Sequence, residues 1–252
     1  MKLLAIDSSG LVASVALLVD DVLVGEYTIH NKKTHSQTLL PMIADMLAMA
    51  EVDKNELTAI AVAAGPGSFT GLRIGAATAK GLAQALDIPI VPVSTLEGLA
   101  YNLQGTDALV CPIMDARRLQ AYYGIYDVRG KMPVSLTEEA AEPIETVMEK
   151  VRELGRETVF LGDGVPVFKD RLIEGLGECP IRIDASLTDS DAPDTALARF
   201  AGDAVRYQKA SSLAALGRIY LADGREVTAA EFVPKYLRMS QAERERKSRG
   251  AN

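Results

Sequence analysis

Histidine, cysteine and tryptophan are scarce in this chain of 252 residues, which contains two histidines, two cysteines and no tryptophan. His30 and His35 are five residues apart, which separates them on a helix and places them on opposite faces of a strand, whereas metal-binding pairs on a helix use spacings of three or four. Cys111 and Cys179 are distant in sequence and Cys111 lies in an apolar segment, so we predict reduced thiols rather than a disulfide. This scarcity argues against a zinc or iron site made of several histidines, and we predict no metal and no cofactor. A site made only of carboxylates would favour magnesium.

The chain also lacks a long apolar run and an excess of positive charge. Asp, Gly or Pro interrupts each apolar run before it could span a bilayer. Met1 and Lys2 lead directly into a predicted strand, without the charged and apolar regions of a signal peptide. The formal net charge of −7 argues against a surface broadly dedicated to nucleic acid, but it leaves room for a local basic patch. We therefore expect a cytoplasmic protein that does not contact a membrane.

The most informative stretch is rich in glycine and joins a predicted strand to a predicted helix. It covers residues 65–75, with the sequence GPGSFTGLRIG, and the helix extends over 70–86. Its spacing matches neither of two common phosphate motifs. A P-loop needs Lys followed by Ser or Thr where Leu72 and Arg73 stand, and a dinucleotide fingerprint needs glycine where Thr70 stands.

Small residues recur every four positions along this helix, at Gly71, Gly75 and Ala79. Glycine inside a helix costs about 1 kcal/mol relative to alanine, so its presence indicates a close contact that compensates. Three interpretations are compatible with the pattern: packing of the helix on the chain's own sheet, an interface with a partner's helices, and a phosphate cradle at the helix N-terminus.

The order of predicted elements is repeated in the two halves of the chain. Each half begins with an apolar strand that ends in an aspartate, Asp7 or Asp115, and continues with further strands, a helix, a strand and a helix. We interpret this order as an internal duplication, with an N-terminal half at 1–104 and a C-terminal half at 105–252. The duplication places the two aspartates at equivalent strand ends facing one cleft, where we expect them to hold the halves in register through hydrogen bonds.

The end of the chain carries three further predicted features. They are a short strand at 181–183, an amphipathic helix at 193–208, and a tail with a basic run at 244–249 that we expect to be solvated and disordered. We expect the last helix to pack back on the first half.

Four segments of the sequence carry recognisable motifs: residues 6–9 (IDSS), 35–41 (HSQTLLP), 65–75, and 115–118 (DARR). In these segments the chain resembles the bacterial TsaB family, formerly called YeaZ. The glycine-rich stretch is the most specific of the four. Together they extend over about the first half of the chain, while the second half matches in its layout and in its ending at 236–238 (YLR).

This resemblance implies an α/β protein with duplicated ribonuclease-H-like halves, which is the actin-like (ASKHA) fold of sugar kinases, acetate kinase and Hsp70. It also implies a role in making threonylcarbamoyladenosine, the modified base beside the anticodon of certain tRNAs. In that family's assembly, the paralogue TsaD holds the metal and transfers the threonylcarbamoyl group, TsaB is a non-catalytic partner, and TsaE is an ATPase that docks on the pair. The implied partners are therefore TsaD and TsaE, with tRNA contacted only through the complex and a homodimer formed when the chain is alone.

The resemblance further implies that TsaD binds through the first two helices. The predicted interface residues on these helices are His35, Ser36, Gln37, Leu40, Gly71, Arg73, Ile74, Gly75, Thr78 and Ala79.

No residue is predicted to be catalytic, because both phosphate loops depart from the actin-like pattern. Ser8 and Ser9 partly replace the glycine-rich loop after Asp7, and the loop after Asp115 has lost its glycine. Asp7, Ser8 and Arg117 are the residual candidates for nucleotide binding. The main alternative is an actin-like-fold ATPase or small-molecule kinase that uses Asp7 to hold magnesium. A second rival, a metalloprotease, lacks the required metal-ligand spacing.

Overall fold

The structure is a computed structural model that describes residues 1–31, 34–179 and 196–238. A five-stranded sheet forms its first half, made of β1 (Lys2–Asp7), β2 (Ala13–Val19), β3 (Val22–Ile29), β4 (Ala59–Ala63) and β5 (Ile90–Val93). The strand order is β3-β2-β1-β4-β5. β2 is antiparallel to β1 and β3, whereas β4 is parallel to β1 and β5. The helices of this half are α1 (His35–Met49), α2 (Phe69–Leu86) and α3 (Thr95–Tyr101).

The second half repeats this arrangement. Its elements are β6 (Leu109–Asp115), β7 (Gln120–Tyr123), β8 (Tyr126–Asp127), β9 (Val134–Ser135), β10 (Ala140–Pro143), α4 (Ile144–Leu154), β11 (Thr158–Leu161), α5 (Val165–Leu176) and β12 (Ala198–Phe200). The main strand order is β10-β7-β6-β11-β12, with β8 and β9 added beside β6. β7 is antiparallel to its neighbours and β11 is parallel to both of its own. The shared order confirms the predicted α/β fold with duplicated ribonuclease-H-like halves.

β1 is buried on both faces at the centre of the first sheet. Because successive side chains of a strand point to opposite faces, Leu4 and Ile6 join the core beneath α1 and α2. Leu3 and Ala5 join a second core, which is covered by α6 (Ala210–Ala222). The sheet is therefore packed between helices on both faces.

The predicted helix at 193–208 is wrong. Residues 193–195 lie outside the described residues, and residues 198–200 form β12, which extends the second sheet in parallel beside β11. The helix that follows is α6, which lies in the stretch predicted to be a tail. The predicted strand at 181–183 and the basic run at 244–249 also lie outside the described residues.

α6 is fixed to the first sheet by contacts that are remote in sequence. Its first amides are bound from β2 and β3, since Ala210 N donates to Ser14 Oγ at 2.9 Å and Ser211 N donates to the Glu26 carboxylate at 2.8 Å. Gly217 allows close approach, because a Cβ there would lie 2.6 Å from Ala61 Cβ. The N-terminal half of the chain thus caps the first turn of α6 and packs closely against the helix.

The chain division at residues 104 and 105 stays a prediction. The first sheet ends before it and the second begins after it, but α6 returns to the first sheet. Cys111 and Cys179 are both buried, and no disulfide joins them. Among the described residues, none of the helices is both long and apolar enough to cross a membrane.

Candidate functional site

The loop after β1 encloses Asp7 instead of presenting it to solvent. The side chain is 2% exposed, and its Oδ1 accepts from Ser9 N at 2.8 Å and from Ser9 Oγ at 2.6 Å. Burial raises the pKa of Asp7 to about 6, while the hydrogen bonds from Ser9 act in the opposite direction. Ser8 is also buried, and its Oγ donates to Gly71 O at 2.9 Å. Asp7 and Ser8, two of the three candidates for nucleotide binding, are therefore buried and hydrogen-bonded within the chain.

The small-residue stripe of α2 faces the chain's own sheet. A Cβ at Gly71 or Gly75 would lie less than 3.0 Å from Ser8, from its carbonyl oxygen or its Oγ respectively. Ala79 is fully buried in the first core. These contacts correct the expectation that Gly71, Gly75 and Ala79 meet a partner, because Gly71 and Gly75 pack closely on the β1–β2 loop and Ala79 is buried in the first core.

Asp115 occupies the matching position in the second half and lines a cleft between the halves. Its Oδ1 accepts from Arg117 N at 2.7 Å, and its Oδ2 lies 3.2 Å from Arg117 Nη1. Its own amide donates to Asp163 Oδ1 at 3.2 Å. Burial raises the pKa of Asp163 to about 6; the amide of Asp115 lowers it and the charge of Asp115 raises it. Asp7 does not line this cleft, so the two aspartates end matching strands but do not share the cleft as predicted.

Asp163 is a cleft residue that the sequence reasoning missed. The available signal was the Gly-Asp-Gly turn at 162–164, which follows β11 as the glycine-rich stretch follows β4. A Cβ at Gly162 or Gly164 would lie less than 3.0 Å from the carbonyl oxygen of Ile113. Because both glycines allow this close approach, the turn brings Asp163 beside the end of β6.

The loop that follows Asp115 adopts a conformation that normally favours glycine. Arg117, Arg118 and Leu119 have φ values of 65°, 58° and 61°, which lie in the left-handed region. The carboxylate of Asp115 holds one end of this loop through the amide of Arg117. Its other support comes from Arg238, which donates to the carbonyl oxygens of Ala116 and Arg117.

Residues 234–238, called the strap here, connect the two halves across this cleft. Lys235 N donates to Ala64 O at 2.6 Å in the first half, and Lys235 Nζ lies 3.2 Å from Glu139 in the second. The Tyr236 ring packs against Phe69 with centroids 5.0 Å apart. The strap forms one wall of a cleft of about 610 Å³. It therefore limits access to the place where the two phosphate loops of an actin-like fold approach each other.

A second feature is the outer face of α1 and α2, called the α1–α2 face here. It is lined by Leu40, Ala44, Ala48, Met49, Ala77 and Gly81, all of them exposed. Leu40 is 54% exposed and Met49 is 79% exposed. A Cβ at Gly81 would meet no atom within 4 Å. These six residues are apolar or small, while the exposed side chains of Ser36, Gln37, Asp45 and Arg73 add polar groups on the same two helices.

The predicted interface residues other than the three buried ones lie on or beside this face. Ser36, Gln37, Leu40 and Arg73 are exposed, and Ile74 and Thr78 are half-buried. His35 is half-buried as well, with its Nε2 3.0 Å from Gly10 O. Ala77 and Gly81 are exposed on the same face but were not among the predicted interface residues, although they follow Arg73 at four-residue spacing.

Candidate metal ligands are not grouped in the described part of the chain. Across residues 1–31, 34–179 and 196–238, His, Cys, Asp and Glu side chains form no group of three that could hold a metal ion. The expected absence of a metal stays a prediction.

Comparisons with known proteins agree with this architecture. A sequence-family model described as "TsaD: tRNA N6-adenosine threonylcarbamoyltransferase" matches residues 23–246. The TsaB protein of Bacillus subtilis (strain 168), named a tRNA threonylcarbamoyladenosine biosynthesis protein, is 35% identical over 247 residues, which cover 96% of each chain. The protein of the same name from Escherichia coli (strain K12) is 34% identical over 175 residues, covering 68% of this chain and 74% of the relative.

A solved structure extends the similarity to three dimensions. A crystal structure from Pseudomonas aeruginosa, described as an uncharacterized protein with similarity to peptidase YeaZ, superposes with a TM-score of 0.76 at 30% identity. The match covers 94% of this chain and 99% of that one. Since sequence and structure agree over nearly the whole length, the chain belongs to the TsaB (YeaZ) family of tRNA threonylcarbamoyladenosine biosynthesis proteins.

Proposed function

We propose that this chain is a non-catalytic subunit that binds and supports TsaD in the threonylcarbamoylation of adenosine beside the anticodon of tRNA. The observation that carries the proposal is the α1–α2 face. In a compact domain, apolar residues that stay exposed on two packed helices are a feature of surfaces for another protein. The family-model match to TsaD supports a partner of the same fold, since paralogous chains offer matching helices.

The shape of this face fits helices better than a loop or a small molecule. Small residues at Ala77 and Gly81 on α2, and at Ala44 and Ala48 on α1, allow partner helices to approach closely. Two helices from each chain would then form a four-helix bundle with short interaxial distances. Met49 would supply an adaptable apolar contact at one end. In the absence of TsaD, a second copy of the chain would use the same face, and TsaE would dock on the assembled pair.

The state of the loops supports the non-catalytic part of the proposal. Asp7, which would hold magnesium in an actin-like kinase, is enclosed by Ser9. Asp115 is paired with Arg117, and the strap covers one side of the cleft. Phosphoryl transfer depends on loops and a metal positioned around phosphates. Here the carboxylates of Asp7 and Asp115 are instead engaged by Ser9 and Arg117 of their own loops.

The proposal is tested by reconstituting tRNA modification from TsaD, TsaE and the threonylcarbamoyl-adenylate synthase, with and without this chain. We expect product only when the chain is present. Asp7→Asn protein should support modification almost fully, because its role is within the loop. Modification that is independent of the chain would refute the proposal. Steady ATP hydrolysis by the isolated chain, abolished in a folded Asp7→Ala protein, would favour the kinase or ATPase alternative.

A further inference from the structure

A group of three arginine and two aromatic side chains lies at the cleft and on the neighbouring turn of α2. It is called the arginine–aromatic band here and consists of Arg73, Phe69, Tyr236, Arg238 and Arg117. The Arg73 guanidinium lies 4.0 Å from the centroid of Phe69, and the Phe69 and Tyr236 rings are 5.0 Å apart with an interplanar angle of 44°. The band thus begins on α2, passes over the strap and ends on the loop after β6.

Positive charge in this band contrasts with the acidic chain as a whole, whose formal net charge is −7. Among the described residues, Arg73 and Arg238 form no ion pair with a carboxylate, and Arg238 instead donates to backbone carbonyls. Arg117 is paired with Asp115, yet its side chain remains 85% exposed. Asp115 and Asp163 are the carboxylates that line the cleft beside the band. The three arginines of the band outnumber these two carboxylates, so the local net charge is positive.

Part of the aromatic surface of the band is exposed beside these charges, mainly on Tyr236, since Arg73 lies over the Phe69 ring. Tyr236 is 39% exposed and Phe69 is half-buried. Aromatic rings on which bases stack, interleaved with cations that follow phosphates, characterise surfaces for unpaired nucleic acid. An acidic peptide would use the arginines but would leave the exposed Tyr236 ring without a matching partner.

We infer that the arginine–aromatic band contacts unpaired nucleotides of an RNA, with Tyr236 stacking on a base and Arg117 meeting a phosphate. The inference rests on the proposed function for the identity of that RNA, a tRNA. It adds direct contact by this subunit to a role that otherwise needs only protein contacts. The band shares Arg73 with the edge of the α1–α2 face, but the centre of that face at Ala77 and Gly81 lies farther along α2.

The test measures binding of the full isolated chain to a fluorescent RNA hairpin that has an anticodon-arm sequence, and to the same hairpin with its loop closed by base pairs. We expect the hairpin with the open loop to bind more tightly. Tyr236→Ser should weaken its binding by roughly tenfold, since stacking of one base contributes on the order of 1–3 kcal/mol. Arg117→Gln should reduce the slope of log affinity against log salt by about one, as expected for one lost phosphate contact.

Two control variants separate these effects from general changes in charge or folding. Tyr236→Phe keeps the ring and should bind as the parent does. Arg171→Gln removes an exposed positive charge on α5 and should leave the affinity unchanged. Equal loss in Arg171→Gln and Arg117→Gln would show non-specific attraction and overturn the inference. Absence of binding to either hairpin, or equal binding of the hairpins with open and closed loops, would also overturn the inference. A UV cross-link from the hairpin to the peptide that contains Tyr236 would support it.

The same variants distinguish this inference from the proposed function. If reconstituted modification requires the chain but the chain does not bind the hairpin, the proposed function stands and the band inference fails. If the hairpin binds through the band but modification does not require the chain, the band inference stands and the proposed function fails. If Tyr236→Ser weakens binding to TsaD and not to RNA, the band is a protein contact and the inference is wrong.

Discussion

At the scale of single residues, Gly75 and Gly81 of α2 have opposite surroundings. A Cβ at Gly75 would lie 2.6 Å from Ser8 Oγ, whereas one at Gly81 would meet open space. We predict that Gly75→Ala lowers the free energy of unfolding by about 1–3 kcal/mol, because it overpacks the contact between α2 and the β1–β2 loop. Gly81→Ala should raise it by roughly 0.5–1 kcal/mol through helix propensity. Urea denaturation of both variants checks the pair, and a stabilised Gly75→Ala protein would contradict the close contact.

The buried carboxyl of Asp7 gives a second prediction at this scale. Because burial raises its pKa from 3.8 to about 6 in the folded state, the folded protein favours the protonated form. Stability should therefore fall as pH rises from about 4 to 6 and then stay level with respect to this group. Between pH 5 and 7.5 the loss due to Asp7 should be roughly 1 kcal/mol, which Asp7→Asn should remove.

Urea denaturation at several pH values measures this effect. Asp163, whose pKa is also raised by burial to about 6, should contribute a slope of the same sign that survives in Asp7→Asn. Asp170→Asn, at an exposed position on α5, serves as the control and should keep the full pH dependence of the parent. An identical pH dependence in Asp7→Asn and the parent would show that Asp7 ionises normally.

At the scale of elements, the sequence predicted α2 and its small-residue spacing but not the direction in which the stripe faces. Two series on the same helix are spaced by four, one at Gly71, Gly75 and Ala79 and the other at Arg73, Ala77 and Gly81. The four-residue periodicity of the sequence reveals both series. Which of them faces the sheet depends on where Ser8 lies relative to the helix, and that is a tertiary contact.

The predictions for the C-terminal elements were wrong for a related reason. The strand β12 is only three residues long and is stabilised by pairing with β11, so its own pattern is too short to decide between helix and strand. α6 lacks a cap from its own neighbouring residues and takes its cap from β2 and β3. In contrast, the helix predicted at 70–86 agrees closely with α2, because its pattern lies within a single segment.

This remote cap leads to a prediction for α6. Glu26 accepts from both Ser211 N and Ser211 Oγ, and its negative charge lies at the N-terminus of the helix, where it is favourable. Glu26→Ala should lower stability by about 1–2 kcal/mol, the usual cost of losing an N-cap. Glu26→Gln should cost less, because it keeps an acceptor and loses only the charge. Hydrogen exchange over residues 210–222 should quicken in the order parent, Gln variant, Ala variant, and exchange that is unchanged in Glu26→Ala would show that the cap is not needed.

At the scale of the whole molecule, the two halves share a strand order but have different connections to the rest of the chain. The first half receives α6 on one face of its sheet and keeps the α1–α2 face open on the other side. The strap then joins the halves across the cleft. A duplication that could have produced two equal lobes around a nucleotide has instead left one covered cleft and one open helical surface.

The open surface gives the last prediction. Gly81→Leu should leave the folded chain intact, because nothing lies within 4 Å of the added Cβ, but it should push partner helices apart on the α1–α2 face. Overpacking of this kind costs about 1–3 kcal/mol, so the affinity for TsaD should fall by roughly tenfold to a hundredfold. Glu149→Leu, on the exposed side of α4, adds the same side chain elsewhere and should bind as the parent does. Calorimetric titration with TsaD, alongside thermal unfolding of each variant, separates binding from stability. Unchanged affinity in a folded Gly81→Leu protein would place the partner on another surface.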